Sequence, residues 1–233
     1  MVKIRIKNLS KEFTVYTRGG VKIQGYNNVD FEVKKGEFLS LYGHSGIGKS
    51  SLLKAIYRTY TTTSGDIIFT KEDGTTVNIA KCDEKDIIEL RKTEIGYVSQ
   101  FLKVLPRISA LEIVAAPLIE KGESEKVAKI KAKELLDFFG IKEELFNVSP
   151  LTFSGGEQQR VNIAKELIAP KPFLLLDEPT ASLDYANTMK VIKQLQKLKE
   201  NNVTMIGIFH DQDDLKTISD KIYDFALKKY VEV

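Results

Sequence analysis

The eight residues Gly43-His44-Ser45-Gly46-Ile47-Gly48-Lys49-Ser50 constrain this chain more than any other stretch. They fit the spacing G-x-x-x-x-G-K-[ST], and their flanks give the match meaning. Ahead of them, Glu37-Phe38-Leu39-Ser40-Leu41-Tyr42 is an apolar run of strand length. Behind them, Ser51-Leu52-Leu53-Lys54-Ala55-Ile56-Tyr57-Arg58 has helical spacing and helix-forming residues. A strand turning through glycines into a helix aims free N–H groups and the positive end of the helix dipole at one spot, which suits a polyphosphate. The glycines remove side chains that would hold those N–H groups away from phosphate oxygens. Lys49 is long enough to reach the terminal phosphates of a nucleotide, and the Ser50 hydroxyl can ligate Mg²⁺. Residues 43–51, with His44, Ser45, Ile47 and Ser51 included, are assigned to this site.

A chain of 233 residues can bury a full core, and one domain with a subdomain, or two closely joined lobes, is expected over 1–233. Hydrophobic residues at 42%, charged residues at 29% and a formal charge of +3 describe an ordinary globular protein without a basic field. Nucleic acid is therefore not expected as a ligand. Cys82 is the only cysteine, which excludes an intrachain disulfide and a multi-cysteine metal site. No apolar run approaches membrane-spanning length, and Met1-Val2-Lys3-Ile4-Arg5-Ile6-Lys7 alternates like an edge strand rather than a secretion signal. A cytoplasmic location is expected.

The first 42 residues predict short antiparallel strands around a turn at Arg18-Gly19-Gly20. Phe13 and Tyr16 are the aromatics able to stack on a nucleotide base, and position favours Phe13. Residues 66–70 and 77–79 predict a hairpin about Glu72-Asp73-Gly74, residues 83–92 a short helix, and 94–99 a buried strand. From about 101 to 160 the character changes to helical, an insert in an otherwise alternating chain. Ser109 caps a run that Pro117 is expected to break or kink. Residues 124–139 predict an amphipathic helix burying Val127, Ile130, Leu135, Phe138 and Phe139, stopped at Gly140. The core is then about 1–100 and 160–233. There, Phe173-Leu174-Leu175-Leu176-Asp177 and Val203-Thr204-Met205-Ile206-Gly207-Ile208-Phe209 read as strands of a parallel sheet covered on both faces, with a helix over 186–199 between them.

Active groups collect at the carboxyl ends of such strands. Asp177 ends the most apolar of them and can hold Mg²⁺. Glu178 follows it and can orient or deprotonate an attacking water. His210 follows another strand, where its ring can donate to a terminal phosphate. Gln100 ends a third and can ligate the metal or the water. Separately, Leu151-Thr152-Phe153-Ser154-Gly155-Gly156-Glu157 is a helix start, with Ser154 as cap and Glu157 at the capping-box position. It makes a second anion-binding helix terminus, explained if it serves the nucleotide of a partner subunit.

Taken together, these motifs resemble the nucleotide-binding domain of the ATP-binding cassette (ABC) ATPases over nearly the whole chain. The resemblance implies an α/β P-loop fold: a mainly parallel core sheet flanked by helices, an N-terminal antiparallel β subdomain and an inserted helical subdomain. Residues 43–50 resemble Walker A, and 173–177 Walker B with catalytic Glu178 after it. Residues 154–158 resemble the signature sequence, with Phe153 where Leu is usual and Glu157 where Gln is usual. Gln100 fits the Q-loop, Ala181-Ser182-Leu183-Asp184 the D-loop, His210 the switch histidine and Phe13 the adenine-stacking aromatic. ATP and Mg²⁺ are the implied ligands. The implied assembly is a head-to-tail dimer with a second cassette subunit, a homodimer or a heterodimer, each ATP lying between one subunit's Walker A and the other's Ser154, Gly155, Gly156 and Glu157.

At finer grain, residues 95–111, 152–162 and 207–211 resemble the cassettes of the bacterial carbon–phosphorus lyase system (the PhnL type), which converts alkylphosphonates to usable phosphate. That implies docking on a lyase core complex. The alternatives are the energising subunit of a membrane permease of the lipoprotein- or macrolide-export type, and an assembly module in which ATP clamps a complex and hydrolysis is incidental.

Overall fold

The computed structural model describes residues 1–102, 106–209 and 211–231, without the side chains of Arg18 and residues 212–214. The described chain divides into two compact units. One comprises Met1–Gly96, Lys171–Asp177 and Lys199–Val233; the other comprises Tyr97–Pro170 and Glu178–Leu198.

The first unit opens with β1 (Val2–Val15) and β2 (Val21–Lys34), joined through Gly19 and Gly20 at φ 69° and 79°. These strands are far longer than the short ones the sequence predicts. Alternation is interrupted because Asn8 and Asn28 take positive φ, and the β1–β2 register shifts between Ile6 and Leu9. Side chains satisfy the backbone there: Asn8 N–H donates to Asp30 and Asn28 N–H to the Ser10 hydroxyl, at 2.9 and 3.0 Å. With β4 (Ser64–Thr70) and β5 (Thr76–Asn78) they make an antiparallel sheet of order β2-β1-β4-β5.

The core sheet contains β3 (Phe38–Tyr42), β6 (Ile95–Val98), β7 (Phe173–Asp177), β8 (Thr204–Ile208), β9 (Lys221–Asp224) and β10 (Lys229–Val231), in the order β10-β9-β3-β8-β7-β6. The pairs β9–β3, β3–β8 and β7–β8 are parallel. Every residue of β7 and β8 is buried, as strands covered on both faces require. β10, unforeseen in the sequence, closes the edge antiparallel to β9. Because β8 alone separates β3 from β7, the carboxyl ends of β3 and β7 lie two strand spacings apart, roughly 10 Å. The chain leaving β3 enters α1 (Lys49–Ile56), whose buried Leu52, Leu53, Ala55 and Ile56 anchor it, and α2 (Glu84–Thr93) precedes β6.

The second unit holds α3 (Ala110–Glu120), α4 (Glu125–Phe138), α5 (Gly155–Leu167) and most of α6 (Tyr185–Glu200). These helices correct the expected break at Pro117 and the expected buried face of α4. Pro117 does not break α3, which runs on to Glu120. The proline sits in its last turns, while Ala110, Leu111, Val114 and Ala115 bury the preceding ones and offset a cost of about 3 kcal/mol. In α4 the buried stripe is Ala128, Ala132 and Leu136, continued by Phe139, whereas Val127 and Ile130 are exposed. Alanines let α4 approach its neighbours closely, so the small residues face inward and the larger β-branched ones do not. Gly140 ends this segment at φ 71° as expected.

Candidate functional site

In the first unit, the loop between β3 and α1 carries Gly43, Gly46 and Gly48 at φ 147°, 80° and 108°. A Cβ at Gly46 would meet nothing within 4 Å, so this glycine serves backbone conformation alone. Gly48 is constrained twice over: a Cβ there would stand 2.2 Å from the Gly25 carbonyl oxygen of β2. We therefore expect Gly48→Ala to destabilise the fold by about 2 kcal/mol, roughly 4–8 °C in Tm, and to lose nucleotide binding with it. Thermal denaturation with and without nucleotide checks this.

Lys49 lies back over the loop, its ammonium donating to the carbonyls of Gly43 at 2.5 Å and His44 at 3.0 Å. The next residue, Ser50, donates its hydroxyl to Asp177 Oδ1 at 2.7 Å. Asp177 ends β7 and is 2% exposed. A hydroxyl and a buried carboxylate in contact at the mouth of a helix N-terminus are a donor set suited to a hard, oxygen-seeking cation. Residues 43–51 beside it are exposed or half-buried, so their backbone is open to an anion.

Phe13 sits half-buried on β1. Its ring packs edge-on against Tyr60 at 5.3 Å, beneath the Lys11 ammonium at 4.9 Å, and across Gly25, where a Cβ would come within 2.7 Å of Cε2. Tyr16, the other aromatic considered, is exposed.

In the second unit, Gln100 and Glu178 meet: the Gln100 carboxamide donates to Glu178 Oε2 at 2.9 Å. Glu178 takes φ 54°, a left-handed conformation that costs a non-glycine residue about 1 kcal/mol and singles it out beside the strand end. Ser154 caps α5 in a reciprocal capping box: the Glu157 carboxylate accepts from the Ser154 N–H and hydroxyl at 2.9 and 2.7 Å. That hydrogen bond from Ser154 holds the Glu157 carboxyl below the usual glutamate range. The depressed value means the cap is fully formed above the usual range and is lost as pH falls through the lowered one. Gly155 is open to solvent, and a Cβ on Gly156 would stand 2.8 Å from the Ser182 carbonyl oxygen. Asp184 accepts from the Asn187 N–H at 2.8 Å at the start of α6, which lowers its pKa.

Of the residues singled out in the sequence, then, the first unit holds Phe13, residues 43–51 and Asp177, with Ser50 and Asp177 in contact. The second holds Gln100, Glu178, residues 154–157 and Asp184, with Gln100 and Glu178 in contact. His210 lies outside the described residues. Two buried polar residues of α5, Gln159 and Asn162, escaped the sequence reading. Their three-residue spacing from Gly156 was the available signal.

A glycine loop feeding a helix from a parallel sheet, with a buried aspartate meeting the helix's first serine, defines a P-loop nucleotide-binding protein. Similarity to known proteins narrows the class. The family model described as "ABC transporter" matches residues 26–181, more than half the chain. An uncharacterised ABC transporter ATP-binding protein of Thermotoga maritima is 34% identical, covering 89% of this chain and 86% of that protein. The lipoprotein-releasing system ATP-binding protein LolD of Aquifex aeolicus is 36% identical, covering 82% and 84%. Among solved structures, the dimeric post-hydrolysis state of the ATP-binding cassette MJ0796 of Methanocaldococcus jannaschii, bound to ADP and Pi, superposes with a TM-score of 0.84. It is 31% identical and covers 95% of this chain and 94% of that one. This chain belongs to the ABC transporter family, and it is an ATP-binding cassette ATPase.

Proposed function

We propose that the chain is the ATP-hydrolysing subunit of a membrane transporter of the lipoprotein- or macrolide-export type, working as a dimer with a second copy of itself. In this reading the whole of 1–233 is one ATP-binding domain with its helical subdomain at about 101–160. It acts at the cytoplasmic face of a permease. Among the described residues no helix is long and apolar enough to cross a membrane.

The observation that carries the nucleotide assignment is the Ser50–Asp177 contact at 2.7 Å beside the Lys49 loop. Residues 43–51 bind the phosphates, Lys49 the β- and γ-phosphates, and Phe13 stacks on adenine. Ser50 and Asp177 would hold Mg²⁺, which would neutralise charge on the phosphate oxygens when bound, and Gln100 is the further ligand proposed for it. Glu178 takes the proton of the water that attacks the γ-phosphorus as ADP departs. His210 donates to the γ-phosphate. Ser154, Gly155, Gly156 and Glu157 of one copy, with Asp184 near them, close on the triphosphate held by the other.

Support for the permease comes from relatives that are themselves transporter subunits, LolD among them at 36% identity over most of both chains. A carbon–phosphorus lyase partner rests only on the resemblance of residues 95–111, 152–162 and 207–211, and LolD and its like lend it no support. Ser154→Arg tests the shared site, because it puts a long cation where the second copy's triphosphate would sit. In a Glu178→Gln background we expect it to abolish ATP-induced dimers in sedimentation velocity while monomer ATP affinity stays within about threefold. Normal ATP-induced dimers would refute the shared site.

A further inference from the structure

We propose that Gln159 and Asn162 are positioning residues for the Gln100–Glu178 pair, so that α5 sets the place of the catalytic carboxylate. The proposal rests on the reading of Glu178 as the group that activates water. Gly156, Gln159 and Asn162 follow one another at three-residue spacing and so share a face of α5. Asn162 is 3% exposed, and its carboxamide donates to the Ser99 carbonyl at 2.6 Å. Ser99 in turn donates its hydroxyl to the Phe101 carbonyl at 2.6 Å, which holds the backbone on both sides of Gln100. Gln100 then reaches Glu178 at 2.9 Å.

The same helical face grips the other end. Gln159, also 3% exposed, donates to the Pro179 carbonyl at 3.3 Å, one residue past Glu178. The Ser182 carbonyl lies so close over Gly156 that a Cβ would stand 2.8 Å from it. One helix thus anchors the residue before Gln100 and the residue after Glu178, and the two side chains close the ring. Burying a carboxamide costs free energy that only its hydrogen bonds return, and the Gln159 Oε1 is buried without a hydrogen-bond partner among the described residues, so packing alone gives no reason for amides at these two places. The φ of 54° at Glu178 needs surroundings that hold it, and the bond to Pro179 is such a hold. Because Ser154 caps α5, an anion seated on its N-terminus and any rigid shift of the helix carry both anchors together. Gln100 and Glu178 then move as a pair rather than separately.

The test is a double-mutant cycle read by steady-state ATP hydrolysis, with ATP affinity from calorimetry and the thermal midpoint measured in parallel. Asn162→Leu keeps the branched shape and the number of heavy atoms and removes the donor. It is expected to lower kcat about tenfold while ATP Kd stays within about twofold. Gln100→Ala is expected to lower kcat comparably, and the double variant no more than about twofold further, since both act through one path. Asn162→Leu with kcat within twofold of the parent, or a double variant whose losses multiply, would overturn the proposal. If Asn162→Leu does not fold, Gln159→Met replaces it in the same cycle; failure of both to fold assigns these residues a purely structural role and ends the proposal. Glu178→Gln is run alongside. Turnover surviving that change would sink the Glu178 assignment itself, an outcome distinct from failure of the cycle.

Discussion

Replacing Glu178 by Gln is expected to lower ATP turnover by about 10²–10⁴-fold and to leave ATP binding intact. The carboxamide has the shape of the carboxylate and still offers an oxygen to the Gln100 donor, which stands at 2.9 Å in the parent. It carries the same left-handed backbone at φ 54°, so the substitution adds no strain. What it loses is the ability to accept the proton of the attacking water. Single-turnover hydrolysis alongside calorimetric titration separates the two effects. Appreciable turnover by the variant would move the base elsewhere. If cells kept the transport phenotype while the purified variant bound ATP without hydrolysing it, the assembly-module reading would gain over the transporter reading.

The second large effect is expected at Lys49. On the proposed reading, Lys49→Ala removes charge-assisted hydrogen bonds to two phosphate groups, each worth about 1.5–3 kcal/mol. ATP affinity should therefore fall by roughly 100-fold or more. In the structure the ammonium is engaged by the Gly43 and His44 carbonyls, at 2.5 and 3.0 Å. It must exchange those partners for phosphate oxygens on binding, so part of its contribution is already offset in the free protein. The observed loss should thus lie toward the lower end of what two such bonds would give. Unchanged affinity in calorimetry would remove the loop from the nucleotide site.

The nucleotide loop was legible because its glycines mark positive φ and its flanks have opposite periodicities. Gly43, Gly46 and Gly48 all take the conformation their identity implies. β7 and β8 were legible as unbroken apolar runs, and α5 through its Ser154–Glu157 box. Features that depend on distant packing were harder to see. Alternation in β1 and β2 is masked by the bulged asparagines, whose stabilising partners lie across the hairpin. Hydrophobicity favours Val127 and Ile130 for the inward face of α4, while close helix packing favours Ala128 and Ala132. Asn162 and Gln159 read locally as ordinary polar helix residues. Their meaning depends on the Ser99 and Pro179 carbonyls, which are far away in sequence.

The central claim is that a second copy completes each ATP site. Sedimentation equilibrium of the Glu178→Gln chain with saturating ATP and Mg²⁺ tests it most directly, with bound nucleotide counted in the same samples. The account predicts a dimer holding two ATP, reverting to monomer when nucleotide is withdrawn. A species that stays monomeric with ATP bound, across the whole range of protein concentration, would contradict it.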